Sequence, residues 1–90
     1  MRVRASHILV ESEEVAKDIL NRIEYKFSTF GELAQQYSKC PSRAKGGDLG
    51  EFGPGMMVAP FEQATFNTPV GAVSQPVQTQ FGWHIIHRTG

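Results

Sequence analysis

Val73-Ser74-Gln75-Pro76-Val77-Gln78, then Thr79-Gln80-Phe81-Gly82, then Trp83-His84-Ile85-Ile86-His87-Arg88: this closing stretch decides the fold. The outer runs read as two strands. The segment between them, ending in Gly, fits a four-residue hairpin loop. In the last run His84 and Ile86 share one face, and Trp83, Ile85 and His87 share the other. That strand is too apolar to be an edge. A further strand reads at the start of the chain. Val3 to Val10 ends in aliphatic and β-branched residues, and it carries His7 between Ser6 and Ile8.

Between these ends the pattern turns helical. Ser12 followed by Glu13 and Glu14 is a helix start, with acids where the helix dipole favours them. Val15, Ile19, Ile23 and Phe27 recur every four residues, and Ala16 and Leu20 widen the stripe, predicting an amphipathic helix over residues 13–26. Glu13–Lys17 and Asp18–Arg22 are favourable i,i+4 pairs on its wet side. Thr29-Phe30-Gly31-Glu32 fits a capping box and opens a second helix, which turns Leu33, Ala34 and Tyr37 inward and stops before Pro41. Five of the nine glycines fall in residues 41–55, read as a loop with a short strand at Asp48 to Phe52. Pro60 suits the first turn of a third helix, Phe61 to Phe66. Strand, two helices, short strand, helix and closing hairpin make an α+β fold, a small antiparallel sheet with helices packed on it.

Ninety residues allow one domain, 1–90, with one core and no second unit. Hydrophobic residues at 40% and charged residues at 20% are ordinary globular composition. Nine basic residues balance nine acidic ones, with a pI near 6.8. That balance gives no electrostatic reason to expect a nucleic-acid or anionic-membrane partner. No apolar run approaches the roughly 20 residues of a membrane span. No signal-peptide core is present, so the expected address is cytoplasmic. The single cysteine, Cys40, forbids an internal disulfide and leaves a free thiol.

Two histidines in two apolar strands are unusual, because each needs a hydrogen-bond partner when buried. They read either as satisfied core histidines or as part of a site. Cys40 reads as a small buried hydrophobe or as the thiol of a Cys–His hydrolase. Its position at the end of a helix opposes thiolate formation, because the dipole there favours cations. His7, His84 and Cys40 include no close-spaced ligand pair, so no metal is expected. Lys45-Gly46-Gly47-Asp48-Leu49-Gly50 lacks the order of a phosphate-binding loop. Met56, Met57, Phe61 and Phe66 read first as core, and equally as the lining of a pocket.

Four segments taken together carry more. Ser6-His7-Ile8-Leu9-Val10, Lys45-Gly46-Gly47-Asp48-Leu49-Gly50-Glu51-Phe52, Met57 with Pro60-Phe61-Glu62, and Phe81-Gly82-Trp83-His84-Ile85-Ile86 resemble the parvulins, in order and over essentially the whole chain. The likeness is to the small single-domain parvulins of bacteria and archaea. Parvulins are peptidyl-prolyl cis/trans isomerases. The resemblance implies a four-stranded antiparallel sheet surrounded by helices, with the first and last strands adjacent at its centre. It pairs His7 with His84 and adds Thr79 to their network. It sets Cys40 beside the substrate peptide bond. Leu49, Met57 and Phe61 become the pocket for the proline ring, with Phe52 and Phe81 bordering the site. It also implies proline-containing peptides and unfolded proteins as partners, a monomer, and no cofactor. The non-catalytic alternative is a peptide-binding or holdase module. Relatives that read phosphate do so with a basic cluster after the first strand. Here Glu11-Ser12-Glu13-Glu14 fills that place, so unphosphorylated substrates are expected.

Overall fold

The computed structural model describes residues 2–90. Met1, included in the single-domain reading, lies outside the described residues. Four strands form one antiparallel sheet: β1 Val3–Val10, β2 Asp48–Phe52, β3 Val77–Thr79 and β4 Gly82–Arg88, in the order β2-β1-β4-β3. The first and last strands therefore pair at the centre, from Ala5 opposite Arg88 to Val10 opposite Trp83. This long pairing uses the most apolar strands of the chain, and each of them is covered on both faces.

The two faces hold separate cores. On one face Ile8, Val10 and Ile85 pack with Ala16 and Ile19 of helix α1, Glu13–Glu24, and with Leu33 and Ala34 of helix α2, Phe30–Tyr37. On the other face Val3, Ala5, Phe52 and Ile86 pack with Phe61 of helix α3, Ala59–Asn67. Alternation along β1 and β4 divides their residues between these layers.

The predicted caps form. Ser12 accepts from the amide of Val15 at 3.2 Å. Thr29 and Glu32 close a reciprocal capping box. Both helix-surface ion pairs are present, at 3.9 Å for Glu13–Lys17 and 3.3 Å for Asp18–Arg22. Pro60 sits in the first turn of α3, as expected.

Four readings need correction. The inward stripe of α1 runs through Ala16, Ile19, Leu20 and Ile23, with Val15 exposed. An exact four-residue spacing drifts around a helix of 3.6 residues per turn, so its two ends leave the buried face. Phe27 lies beyond the helix, after Lys26 at φ 60°, and is 80% exposed.

The strand read at Val73 to Gln78 shrinks to Val77–Thr79, with one separate bridge from Val73 to His87. Pro76 has no N–H for a ladder, and Ser74 takes over locally, its hydroxyl accepting from the Ile86 amide at 3.1 Å. Thr79 pairs with Gly82, so the hairpin loop is Gln80-Phe81 alone, shorter than the four residues read. Gly82 sits at φ 136°, where a Cβ would lie 2.6 Å from the Val10 carbonyl oxygen. Finally, Pro41–Lys45 is a short 3-10 helix inside the stretch read as loop.

Candidate functional site

His7 and His84 meet because of the β1–β4 register. Leu9 lies opposite His84 and His7 opposite Ile86, so the two histidines are diagonal neighbours on one face. Their Nδ1 atoms are 2.9 Å apart and the rings are nearly parallel, with centroids separated by 5.1 Å. Both are buried, at 5% and 4% exposure. Thr79, across from β4 at the hairpin, places Oγ1 2.7 Å from His84 Nε2, and the Phe81 amide donates to the same hydroxyl at 3.1 Å. Phe61 meets both imidazoles edge-on, at 5.4 Å from His7 and 5.1 Å from His84.

Burial keeps both rings neutral. Loss of hydration, and secondarily the neighbouring His84, lower the His7 pKa to about 4. Loss of hydration alone brings His84 to about 4. A neutral ring has one N–H, so the Nδ1–Nδ1 contact has one donor and one acceptor. His7 Nε2 is buried without a partner.

Gly47 holds the back of His7. The His7 amide donates to the Gly47 carbonyl at 2.9 Å. Gly47 has φ 88°, and a Cβ there would fall 2.4 Å from the His7 carbonyl oxygen, so only glycine fits.

Cys40 is half-buried and reaches the site by a different route. After α2 ends, the buried Ser38 hydroxyl accepts from the amides of Leu9, at 3.1 Å, and Cys40, at 3.3 Å. The Lys39 amide donates to the Leu9 carbonyl at 2.8 Å. These bonds lay residues 38–40 along the end of β1. Cys40 is not at a helix C-terminus as read. It occupies the N-cap position of the 3-10 helix, with extended backbone and no capping bond from its side chain.

The strands, α3 and the loop before α3 enclose a cavity of about 490 Å³. His7, His84 and Cys40 line it together with Leu49, Met57, Phe61 and Phe81. Thr79 stands behind His84, holding its ring, and does not line the cavity. Phe81 is 63% exposed and forms part of the rim. Phe52 departs from the reading. It is fully buried in the core, 6.1 Å from Phe61 ring to ring, and supports the cavity from below without bordering it. Its inward position in β2 opposite Val3 explains this.

Leu9, Lys39, Pro41, Met56 and Val58 also line the cavity. Alternation from His7 could have pointed to Leu9. Met56 was visible as an apolar residue near the short helix. Nothing in the sequence marks Lys39 or the buried Ser38, since both lie in a connection whose path depends on tertiary contacts.

The thiol has no paired base in this wiring. Both Nδ1 atoms are engaged with each other, His84 Nε2 is engaged with Thr79, and His7 Nε2 has no partner, the Cys40 sulfur included. No imidazole nitrogen is hydrogen-bonded to the thiol as a general base. Among the described residues, no three His, Cys, Asp or Glu side chains gather where they could hold a metal ion. The arrangement offers an apolar recess with a polar, neutral floor, suited to binding and reshaping a ligand.

Comparison with known proteins agrees on one family. The family model described as Rotamase, PPIC-type PPIASE domain, matches residues 7–90. Foldase protein PrsA of Geobacillus kaustophilus is 49% identical over 89 residues, which are 98% of this chain and 31% of that protein. The chain thus spans about a third of the length of the curated PrsA relative. The peptidyl-prolyl cis-trans isomerase pin1 of Rhizopus delemar is 40% identical, over 98% of this chain and 73% of that one. The solution structure of NmPin, the parvulin of Nitrosopumilus maritimus, superposes with a TM-score of 0.88 at 43% identity, covering 99% of this chain and 96% of that chain.

Proposed function

Since the chain belongs to the PPIC-type peptidyl-prolyl isomerase domains, the parvulins, we propose that it accelerates rotation about X–Pro bonds in proline-containing peptides and unfolded proteins. The observation that carries this reading is the cavity itself. Leu49, Met57 and Phe61 form an apolar seat beside a neutral histidine pair and a half-buried thiol.

The chemistry asks for little. An X–Pro amide resists rotation by about 18–20 kcal/mol because twisting removes resonance. No substrate bond breaks. A thousandfold acceleration requires only about 4 kcal/mol of preferential binding to the twisted form. That form has less charge separation than the planar amide, so an apolar recess favours it. The recess fixes the proline ring while the preceding carbonyl turns. Cys40 lies at the end of the cavity where residues 38–40 run along β1, and it supplies a weakly polar group beside that carbonyl without covalent attack. His84, His7 and Thr79 hold the floor rigid and neutral. Substrates without phosphate suit the site, because Glu11, Glu13 and Glu14 lie directly after β1. A non-catalytic peptide-binding module would need the groove alone and would leave the interlocked histidines without a task.

The test is exchange spectroscopy by NMR on a short Ala-Pro peptide, with and without the protein. Cis/trans exchange should speed up at substoichiometric protein, and its shift changes should map to Leu49, Met57 and Phe61. Binding at those residues with no change in exchange rate would establish the non-catalytic alternative.

A further inference from the structure

Among the described residues, Lys39 is the only Lys, Arg, Asp or Glu lining the cavity. The histidines there are neutral, and the remaining residues are apolar or carry a thiol. The Lys39 ammonium is not free. Its Nζ lies 3.3 Å from Glu11 Oε1, with both side chains mostly exposed, at 60% and 82%. The next acid of the connection, Glu13, lies 3.9 Å from Lys17.

The position of Lys39 along the groove is set by the strand. Phe61 packs on His7, and Phe52, beneath Phe61, pairs with Val3. Lys39 bonds to Leu9, two residues toward the other end of β1, about 7 Å further along at strand rise. Cys40 is its neighbour in the chain. A peptide whose proline ring rests on Phe61 and whose amide passes Cys40 therefore carries its preceding residue toward Lys39. We propose that Lys39 selects the residue before proline, favouring an acidic side chain, and that Glu11 limits this preference by competing for the same ammonium. The inference rests on the isomerase reading and names the substrate class within it. One flexible ammonium is a point charge, so it supplies a graded preference and no dedicated phosphate fork.

The experiment compares Glu-Pro, Ala-Pro and Lys-Pro peptides on the wild type, Glu11→Gln, Lys39→Met and Lys39→Glu. Both kcat/KM and NMR-titrated Kd are measured. The wild type should favour Glu-Pro over Lys-Pro. Glu11→Gln should widen that ratio by about two- to fivefold, the range of an exposed ion pair, while Ala-Pro turnover stays constant. Lys39→Met should bring the ratio near one, and Lys39→Glu should invert it. Added salt should shrink the wild-type ratio. A Glu-Pro to Lys-Pro ratio indifferent to Glu11 and Lys39, with Ala-Pro turned over normally, overturns this inference and leaves the isomerase reading intact. Absent Ala-Pro turnover overturns the isomerase reading, and the Kd ratios then still decide the role of Lys39.

Discussion

A histidine held neutral in the folded chain but free to protonate in the unfolded chain ties stability to pH. His7 and His84 have pKa values lowered to about 4 by burial, against 6.5 when exposed. Between these values the unfolded state binds more protons, so stability rises with pH there. The contribution is complete above pH 6.5 and is lost as pH falls toward 4. Each ring supplies a slope of up to about 1.4 kcal/mol per pH unit in that window. The melting temperature should therefore fall between about pH 6.5 and pH 5, where ordinary carboxylates are still mostly ionised. A flat melting profile over that interval would mean that the rings accept protons without disturbing the fold. Cys40 makes a second case among single residues. As an N-cap without a capping bond it occupies a position that aspartate prefers. Cys40→Asp should keep or raise the melting temperature and retain substantial kcat/KM. Cys40→Ala should lose more activity. A folded, inactive Cys40→Asp, or a trapped thioester on the wild type, would defeat the non-covalent mechanism. The histidines were legible in the sequence as polar residues among apolar ones. The placement of Cys40 was legible only through the resemblance, because it depends on Ser38 bonding across to β1.

Among the elements, the loop between β2 and α3 takes one side-chain anchor from α3. The loop contributes Met56, Met57 and Val58 to the cavity. Its anchor is Glu62, in the first turn of α3, whose carboxylate accepts from the Gly55 amide at 2.6 Å. The Gly53 amide also meets the Met56 sulfur at 3.2 Å. Removing the carboxylate should loosen the Gly55 end of the loop while Met57 and Val58 keep their packing. Glu62→Ala should raise KM several-fold with a smaller change in kcat, because a hydrogen bond to a charged group is worth about 1.5–3 kcal/mol. Glu62→Gln keeps an acceptor oxygen and should restore most of the affinity. Equal losses in both variants would show that charge, and not the bond to Gly55, matters. Helices α1 and α2 were readable from their caps and stripes, since those signals are local. The 3-10 helix and the shortened β3 escaped because a proline such as Pro41 or Pro76 marks a break in the backbone ladder without specifying the conformation of its neighbours.

For the molecule as a whole, the sheet separates two cores that share β1 and β4. Phe61 belongs to one of these cores and to the cavity at once, being 3% exposed while lining the recess. Phe61→Ala should cost about 3–5 kcal/mol of stability and most of the turnover. Phe61→Leu keeps most of the buried volume, so it should recover the larger part of the stability while activity stays low. Full activity in a folded Phe61→Ala protein would remove Phe61 from the proline seat. The strand order was legible only through the family resemblance, while the residues themselves marked the last strand as too apolar for an edge. Phe52 illustrates what stayed hidden, since resemblance placed it near the cavity and only packing shows it underneath.

The sheet also sets which parts of the site open first. β3 has three residues and pairs only with β4, whereas β1 has neighbours on both sides. Amide exchange with deuterium should be slowest in β1 and β4 and fastest in β3, since short edge ladders detach without global unfolding. Thr79, the hydroxyl partner of His84, rides on that weakest strand. Each brief detachment would hand His84 Nε2 to solvent while the His7–His84 contact stays closed, so the outer end of the proton network is renewed by local breathing and the inner end only by unfolding.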